Sequence, residues 1–315
     1  MLEGKTVGVV IPAYNEELLL PATLAGIPSY VDRVYVIDDA SRDATVGKAH
    51  TAASKDPRIV VIVHERNAGV GAAVVTGYKR AIDDSMEIVC VMNGDNQMDP
   101  DELAELAGPV ARGELDYAKA NRLFTGEAWD LIPHTRYLGN AILSLFTKIA
   151  SGYWHVADSQ AGYTAISLPV LRRLNLDRLY TSYGYPNDML VHLNIWNARV
   201  RDIPSRPIYG IGEKSGIRLR RVIPRISWLL IKGFTWRMGQ KYVIRDFHPL
   251  VFFYIAGFVT WTLGFGIGVY EVVIRILGYR VTAGMAALVT VLLLFGALFS
   301  LFAMWFDMET NKELR

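Results

Sequence analysis

One cysteine in 315 residues, Cys90, excludes any disulfide within the chain and fits a reducing compartment. A surplus of one charge is missing too. With 33 Lys and Arg against 31 Asp and Glu, the net charge is +2, which gives no electrostatic footprint for nucleic acid. The opening residues, Met1-Leu2-Glu3-Gly4-Lys5, lack the apolar core of a signal peptide and lead straight into a short strand. Charge is absent altogether from residues 250–270 and 284–306. Each stretch is about 20 residues, enough to cross a hydrocarbon core of roughly 30 Å. Tyr254, Trp261, Tyr270, Tyr279 and Trp305 ring them, as aromatic side chains do at membrane boundaries. The whole chain is 51% hydrophobic and 20% charged, with a mean hydropathy of +0.21. That is too apolar for an ordinary soluble domain and too charged for one embedded throughout, so the chain is read as split.

The first 215 residues alternate strand and helix. Apolar runs at 6–11, 34–37, 59–63 and 88–92 read as buried strands, with helical patterns between them at roughly 25-residue spacing. This is the signature of βαβ units and a mostly parallel sheet. Polar residues collect after the strands, where such sheets bind ligands. The fourth strand ends in Asn93-Gly94-Asp95-Asn96-Gln97-Met98-Asp99-Pro100. Asp95 and Gln97 lie two apart, so in extended backbone both point to one side, and their oxygens suit Mg²⁺ or Mn²⁺ shared with substrate phosphates. An EF-hand is excluded, because the loop lacks its sixth-position glycine and twelfth-position glutamate. A plain strand-to-helix turn, with Asp99 capping a helix that starts at Pro100, is the competing reading. Asn67-Ala68-Gly69-Val70-Gly71 suits either a phosphate cradle at a helix N-terminus or an ordinary turn.

In order and spacing, Pro12-Ala13-Tyr14-Asn15-Glu16, Val36-Ile37-Asp38-Asp39-Ala40-Ser41, Asn67-x-Gly69-x-Gly71-Ala72 and Met92-Asn93-Gly94-Asp95-x-Gln97 resemble the inverting GT-A glycosyltransferases of family 2. The resemblance is to their polyprenyl-phosphate branch, which includes the dolichyl-phosphate mannose synthases. It implies a Rossmann-like GT-A domain over residues 1–215, a nucleotide-sugar donor and a polyprenyl-phosphate acceptor. Pro12, Tyr14 and Glu16 would line the nucleoside pocket, Asp39 would bond the base or ribose, and Asp95 with Gln97 would hold the metal. Asn67, Gly71, Asn93, Lys214 and Ser215 are assigned to the donor side as well. Arg122, Arg136 and Asp158 match positions near the diphosphate and the acceptor, Asp158 through the stretch Asp158-Ser159-Gln160-Ala161-Gly162-Tyr163. The family's usual D-x-D begins here with Asn93, a neutral ligand at best. Asn187-Asp188 matches an acidic motif at a helix start, and helix capping explains it equally well.

A basic stretch follows at 216–248. Arg218, Arg221, Arg225 and Lys232 are spaced 3, 4 and 7 apart, one stripe of an amphipathic helix in the membrane interface, and Arg218, Arg221 and Arg225 are expected to serve the acceptor phosphate. The pair of spans, about 250–272 and 284–306 within 249–306, forms a hairpin whose connection holds only Arg275 and Arg280. The positive-inside rule then puts the catalytic domain and the tail, 307–315, on the cytoplasmic side, in the plasma membrane of a prokaryote. Gly264-Phe265-Gly266-Ile267-Gly268 permits close helix packing, including between copies in a homo-oligomer. Two alternative functions stand: extension of a lipid-linked oligosaccharide or polysaccharide, and a sugar-nucleotide-binding scaffold inactivated at Asn93.

Overall fold

The computed structural model describes residues 1–124, 134–208, 210 and 219–315, and only the backbone of residues 135, 136 and 219–222. Its chain divides into two compact units, Met1–Phe234 with Glu313–Arg315, and Thr235–Lys312.

In the first unit the described strands form one seven-stranded sheet in the order β3-β2-β1-β4-β6-β5-β7. Strands β1 (Val7–Ala13), β2 (Arg33–Asp38), β3 (Ile59–Val63) and β4 (Ile88–Val91) are parallel neighbours. The β-branched runs of β1, β2 and β4 are buried on both faces, as a covered parallel sheet requires, whereas β3 at the sheet edge is only partly buried. Helices α1 (Leu20–Ala25), α2 (Thr45–Ala53) and α3 (Val70–Asp83) make the crossovers. The winding runs outward from β1 to β3 and then returns to β4 on the other side of β1. Chain order therefore reverses between β1 and β4, and a crevice opens at their carboxyl ends.

The other half of the sheet is partly antiparallel. Helix α4 (Leu103–Ala111) leads to β5 (Tyr117–Asn121), α5 (His134–Ser151) to β6 (Thr164–Ser167), and a short helix α6 (Leu168–Leu171) follows. Helix α7 (Tyr185–Ile195) precedes β7 (Val200–Pro204). Strand β6 runs antiparallel to both β4 and β5, with Val91 opposite Thr164 and Lys119 opposite Thr164. The start of β6 therefore lies beside the ends of β4 and β5. Strand β7 is parallel to β5, with Asn121 opposite Pro204. This register brings the residues after β1, β4, β5 and β7 and those before β6 to one edge. The antiparallel β6 carried no period-2 signal in its four residues.

Helix α8 (Leu219–Gly239) crosses the unit boundary. The second unit is built on α9 (Leu250–Ile276) and α10 (Ala283–Thr310), both long and apolar enough to cross a membrane. They pack antiparallel: a Cβ on Gly257 would lie 3.2 Å from the Ser300 nitrogen, and one on Gly264 would lie 3.1 Å from Leu292 Cβ. Gly264 thus serves contact inside the hairpin, whereas a Cβ on Gly266 would meet open space. Two cations of the basic stretch are not at the surface. Arg237 and Lys241 are buried, the first donating to Asp307 at 2.8 and 3.0 Å and the second to Asn311 Oδ1 at 2.7 Å. Asp307 belongs to α10 rather than to a tail.

Candidate active site

The crevice predicted by the strand order is occupied by the loops after β1 and β4. Beyond β1 the chain turns through Asn15, whose φ of +57° is the left-handed region that asparagine tolerates. Side chains of the loop after β2 hold it there. Ser41 Oγ accepts from the Asn15 amide at 2.9 Å, and Thr45 Oγ1 accepts from the Glu16 amide at 2.8 Å. Asn15 Oδ1 in return accepts from the Arg42 amide at 2.8 Å. Tyr14 is carried on this braced turn with 41% of its surface exposed, an open stacking face. Pro12 is tied to the β4 loop, its carbonyl accepting from Gly94 N at 3.2 Å.

Asp95 and Glu16 meet across this crevice. The Glu16 carboxyl is pushed up to about 7, first by burial and then by the Asp95 and Asp43 carboxylates. Asp95 Oδ1 accepts from the Gln97 amide at 3.2 Å, and Gln97 Nε2 is buried with no hydrogen-bond partner among the described residues. The described residues hold no cluster of three or more His, Cys, Asp or Glu suited to a metal ion. Asp95, Gln97 and Glu16 nevertheless offer hard oxygens and concentrated negative charge, which fit Mg²⁺ or Mn²⁺ if a diphosphate completes the shell. Asn93 brings no charge to the position of the first carboxylate in a D-x-D pattern. Its Oδ1 is buried without a described partner and lies 3.5 Å from where a Cβ on Gly162 would be, beside the Tyr185 hydroxyl at 3.2 Å from the same point.

Two arginines line a cleft beside the Asp95 loop. The cleft, lined by Asn93, Gln97, Arg122, Gln160, Tyr163 and Arg206, runs along the sheet edge. Arg122 Nε and Nη2 donate to Asp158 Oδ2 and Oδ1 at 2.8 and 3.2 Å, and the Arg122 amide donates to Oδ2 at 3.2 Å. Asp158 is 0% exposed. Burial alone would raise its pKa, but the Arg122 and Lys119 charges overcome that and hold it at about 2. It is enclosed behind Arg122 rather than open to a substrate, and so weak a base has little use as a proton acceptor.

Sequence reasoning missed Lys119. It sits in a fully buried strand, which was the available signal, and donates to the carbonyls of Asp158 and Ala161. Burial lowers its pKa to about 8, partly offset by Asp158 and Asp202. Asp202 accepts from the Ala157 amide at 2.6 Å, so the loop before β6 is held from both sides. Arg206 was missed as well; Glu102 fixes its segment by accepting from Ser205 Oγ at 2.5 Å and from the Arg206 amide at 2.8 Å.

Several expected donor residues have other partners. Asp39 is buried and accepts from the Ala68 and Gly69 amides at 2.9 and 2.8 Å and from His64 Nδ1 at 2.8 Å. It shapes the loop before α3. A Cβ on Gly71 would lie 2.2 Å from the Tyr180 carbonyl, and the Ala72 amide donates to the Thr181 carbonyl at 3.2 Å. Gly71 is therefore explained by close backbone approach, and the start of α3 by a protein carbonyl rather than a phosphate. Asn67 is exposed nearby. Asn187 and Asp188 lie inside α7, past its Gly184 N-cap, so neither caps that helix. Arg225 is exposed on α8. Lys214, Ser215 and Arg218 lie outside the described residues, as do the side chains of Arg136 and Arg221.

Known proteins resemble this chain in sequence or in fold. A UDP-N-acetylglucosamine–dolichyl-phosphate N-acetylglucosaminyltransferase of Methanococcus voltae is 28% identical over 221 residues, 66% of this chain and 88% of its own. The undecaprenyl-phosphate mannosyltransferase of Micrococcus luteus is 29% identical over 198 residues, 62% of this chain and 80% of its own. The crystal structure of glucosyl-3-phosphoglycerate synthase from Mycobacterium tuberculosis, in complex with Mn²⁺, UDP and glucosyl-3-phosphoglycerate, superposes with a TM-score of 0.55 at 22% identity, covering 75% of this chain and 81% of that one. At that identity the likeness is one of fold. The family model of glycosyl transferase family 2 matches residues 8–174, more than half of the chain, and the chain belongs to that family.

Proposed function

We infer that this chain transfers a sugar from a nucleoside diphosphate onto a polyprenyl monophosphate at the cytoplasmic face of a prokaryotic plasma membrane, with inversion. The observation that carries the reading is a cleft lined both by Asn93 and Gln97 of the loop that carries Asp95 and by Arg206 and Arg122, the latter seated on buried Asp158. Such a cleft suits a cation-bound diphosphate at the Asp95 loop and a second anion, the acceptor phosphate, at the arginines. The named activities of the archaeal and bacterial relatives support the acceptor class.

Tyr14 stacks on the base, and the loop after β1 holds the nucleoside. Asp95 and the Gln97 amide oxygen hold Mg²⁺ or Mn²⁺, which when bound neutralises charge on the departing diphosphate. Arg122 orients the acceptor phosphate, already ionised at neutral pH, so that its oxygen attacks the anomeric carbon from the face opposite the diphosphate. The new C–O bond forms as the bond to the diphosphate breaks, and the nucleoside diphosphate leaves with the electron pair. No protein base is required; orientation and charge neutralisation lower the barrier. Helices α9 and α10 span the membrane, and the exposed Arg225, Lys232 and Arg245 mark the cytoplasmic side.

A panel of nucleotide sugars scored by protection against heat unfolding tests the donor half. A ligand at 100 times its Kd adds about 2.7 kcal/mol, so one nucleotide sugar is expected to raise the melting temperature clearly above its free sugar. Absence of protection by every nucleotide sugar, with metal present, would remove the reading.

A further inference from the structure

Behind the Arg122–Asp158 pair lies a lysine in the interior of the sheet, a place that lysine rarely takes. Lys119 occupies the middle of β5 between Ala118 and Ala120, and like them it is buried. Its partner in register on β7 is Asp202, so the two side chains leave the sheet on one face. Lys119 Nζ donates to the carbonyls of Asp158 and of Ala161, the latter at 2.9 Å. Asp202 Oδ2 accepts from the Ala157 amide, while Asp202 Oδ1 is buried with no hydrogen-bond partner among the described residues. The charged groups that face Lys119 among the described residues are Asp158 from the loop before β6, Asp202 from β7 and Arg122 just past the end of its own strand. Its neighbour in register on β6, Thr164, is neutral. Tyr117 also faces Asp202, and burial pushes its hydroxyl pKa up, which keeps it neutral. Two cations therefore stand against two carboxylates.

We propose that Lys119 and Asp202 set the charge that Arg122 presents to an anion in the cleft, acting on substrate only through that arginine. The proposal rests on the reading of Arg122 as a partner of the acceptor phosphate. Charge balance carries the argument. Arg122 is already paired with Asp158 at 2.8 Å, and Asp202 puts a second carboxylate beneath the same loop. With Lys119 protonated the four groups sum to zero, and the exposed part of the guanidinium keeps its pull on a phosphate. Once Lys119 loses its proton, two carboxylates stand behind one guanidinium, and the site repels an anion it otherwise holds. A neutral amine still has an N–H for each of the two carbonyls, so the loop keeps its shape. The change is one of charge. Burial lowers the Lys119 pKa to about 8, with Asp158 and Asp202 opposing it. Burial raises that of Asp202 to about 6, with Lys119 opposing it. At neutral pH both groups are therefore charged, and Lys119 is the first to change as pH rises.

The test uses the full chain in uncharged detergent and a short polyprenyl monophosphate as the probe, with no nucleotide sugar, so that binding is read without turnover. Calorimetric titrations run from about pH 7 to about pH 10, where the second phosphate proton, with a pKa of roughly 6, is already lost. The wild-type Kd is expected to weaken by about threefold to tenfold, the effect of one charge roughly 10 Å from the phosphate. The midpoint should fall near the Lys119 value of about 8. Lys119→Gln keeps a donor and has no proton to lose, so it should bind weakly and show no such transition. Asp202→Asn removes a carboxylate that helps hold the proton on Lys119, so its midpoint should move to lower pH. Should Lys119→Gln fail to fold, the wild-type curve and the Asp202→Asn shift still decide. A wild-type Kd indifferent to pH would overturn the proposal and leave the acceptor class standing. So would a transition retained in Lys119→Gln, or a midpoint unmoved in Asp202→Asn. A wild type that binds no lipid phosphate at any pH would instead remove the acceptor reading, and this proposal with it.

Discussion

Arg122 closes over a carboxylate it never releases to solvent: its Nε lies 2.8 Å from Asp158 Oδ2, and Asp158 is fully buried while Arg122 remains a quarter exposed. The pair is a charge held in place from behind. Asp158 takes one face of the guanidinium fork, Lys119 and Asp202 hold the loop that carries Asp158, and the rest of Arg122 lines the cleft. Asp158 is thereby a positioning residue for Arg122.

That role sets a pH signature. The folded-state pKa of Asp158 is about 2, below the ~3.9 of an unfolded aspartate. A depressed carboxyl contributes stability that is complete above the unfolded value and is lost as pH falls toward the folded one. The wild-type melting temperature should therefore decline between roughly pH 4 and pH 2, and Asp158→Asn should show a shallower decline. At neutral pH the variant should be less stable by about 1–3 kcal/mol, with a lower kcat and an unmoved acid limb of the rate profile. A shifted acid limb would make Asp158 a titrating catalyst instead.

Asp95→Asn should abolish transfer and leave the melting temperature nearly unchanged, since Asp95 supplies charge to the crevice rather than to the core. Near-normal turnover at saturating Mg²⁺ or Mn²⁺ would contradict the assignment. Asn93→Asp should behave differently. Its oxygen is buried beside Gly162 and Tyr185, so a carboxylate there adds an unpaired charge to the interior, costing ~1–3 kcal/mol without lowering the metal concentration needed for half-maximal activity. A tighter metal titration would place Asn93 on the ion.

Gly71→Ala forces a Cβ to within 2.2 Å of the Tyr180 carbonyl. Overpacking of this kind costs about 1–3 kcal/mol and at times more. Thermal melting should drop accordingly, and in the folded fraction the donor KM should stay close to wild type. A raised donor KM with unchanged melting would restore the phosphate-cradle reading.

Arg237 and Asp307 form a fully buried ion pair in the second unit, joined by the Tyr242 hydroxyl donating to Asp307 at 2.7 Å. Removing one partner strands the other charge, so Arg237→Met or Asp307→Leu alone should cost roughly 3–5 kcal/mol. The double variant should recover most of that loss. Additive losses in detergent-solubilised protein would mean the two residues do not act as a pair.

The parallel half of the sheet was legible because β1, β2, β3 and β4 are continuous apolar runs, each closed by polar residues. The crevice at the carboxyl ends of β1 and β4 followed from that pattern. What escaped was long-range. Strand β6 has only Thr164–Ser167, too short for a period, yet its antiparallel pairing is what carries Asp158 to Arg122. Gly71 reads as a phosphate loop until the Tyr180 carbonyl, far along the chain, is placed against it. Arg237 and Lys241 look like interfacial cations until Asp307 and Asn311, each 70 residues away, are found beside them.

The central claim is transfer to a polyprenyl monophosphate, and the direct measurement is the lipid product itself. Detergent-solubilised full-length protein is incubated with the nucleotide sugar that best protects it, Mg²⁺ or Mn²⁺, and a short polyprenyl monophosphate, and the organic phase is analysed by mass spectrometry and by NMR of the anomeric proton. The account predicts a single sugar joined to the lipid phosphate, with the anomeric configuration opposite to the donor's and one nucleoside diphosphate released per sugar. A protein that binds the nucleotide sugar yet leaves the lipid phosphate unmodified, or that retains the donor's configuration, would contradict it.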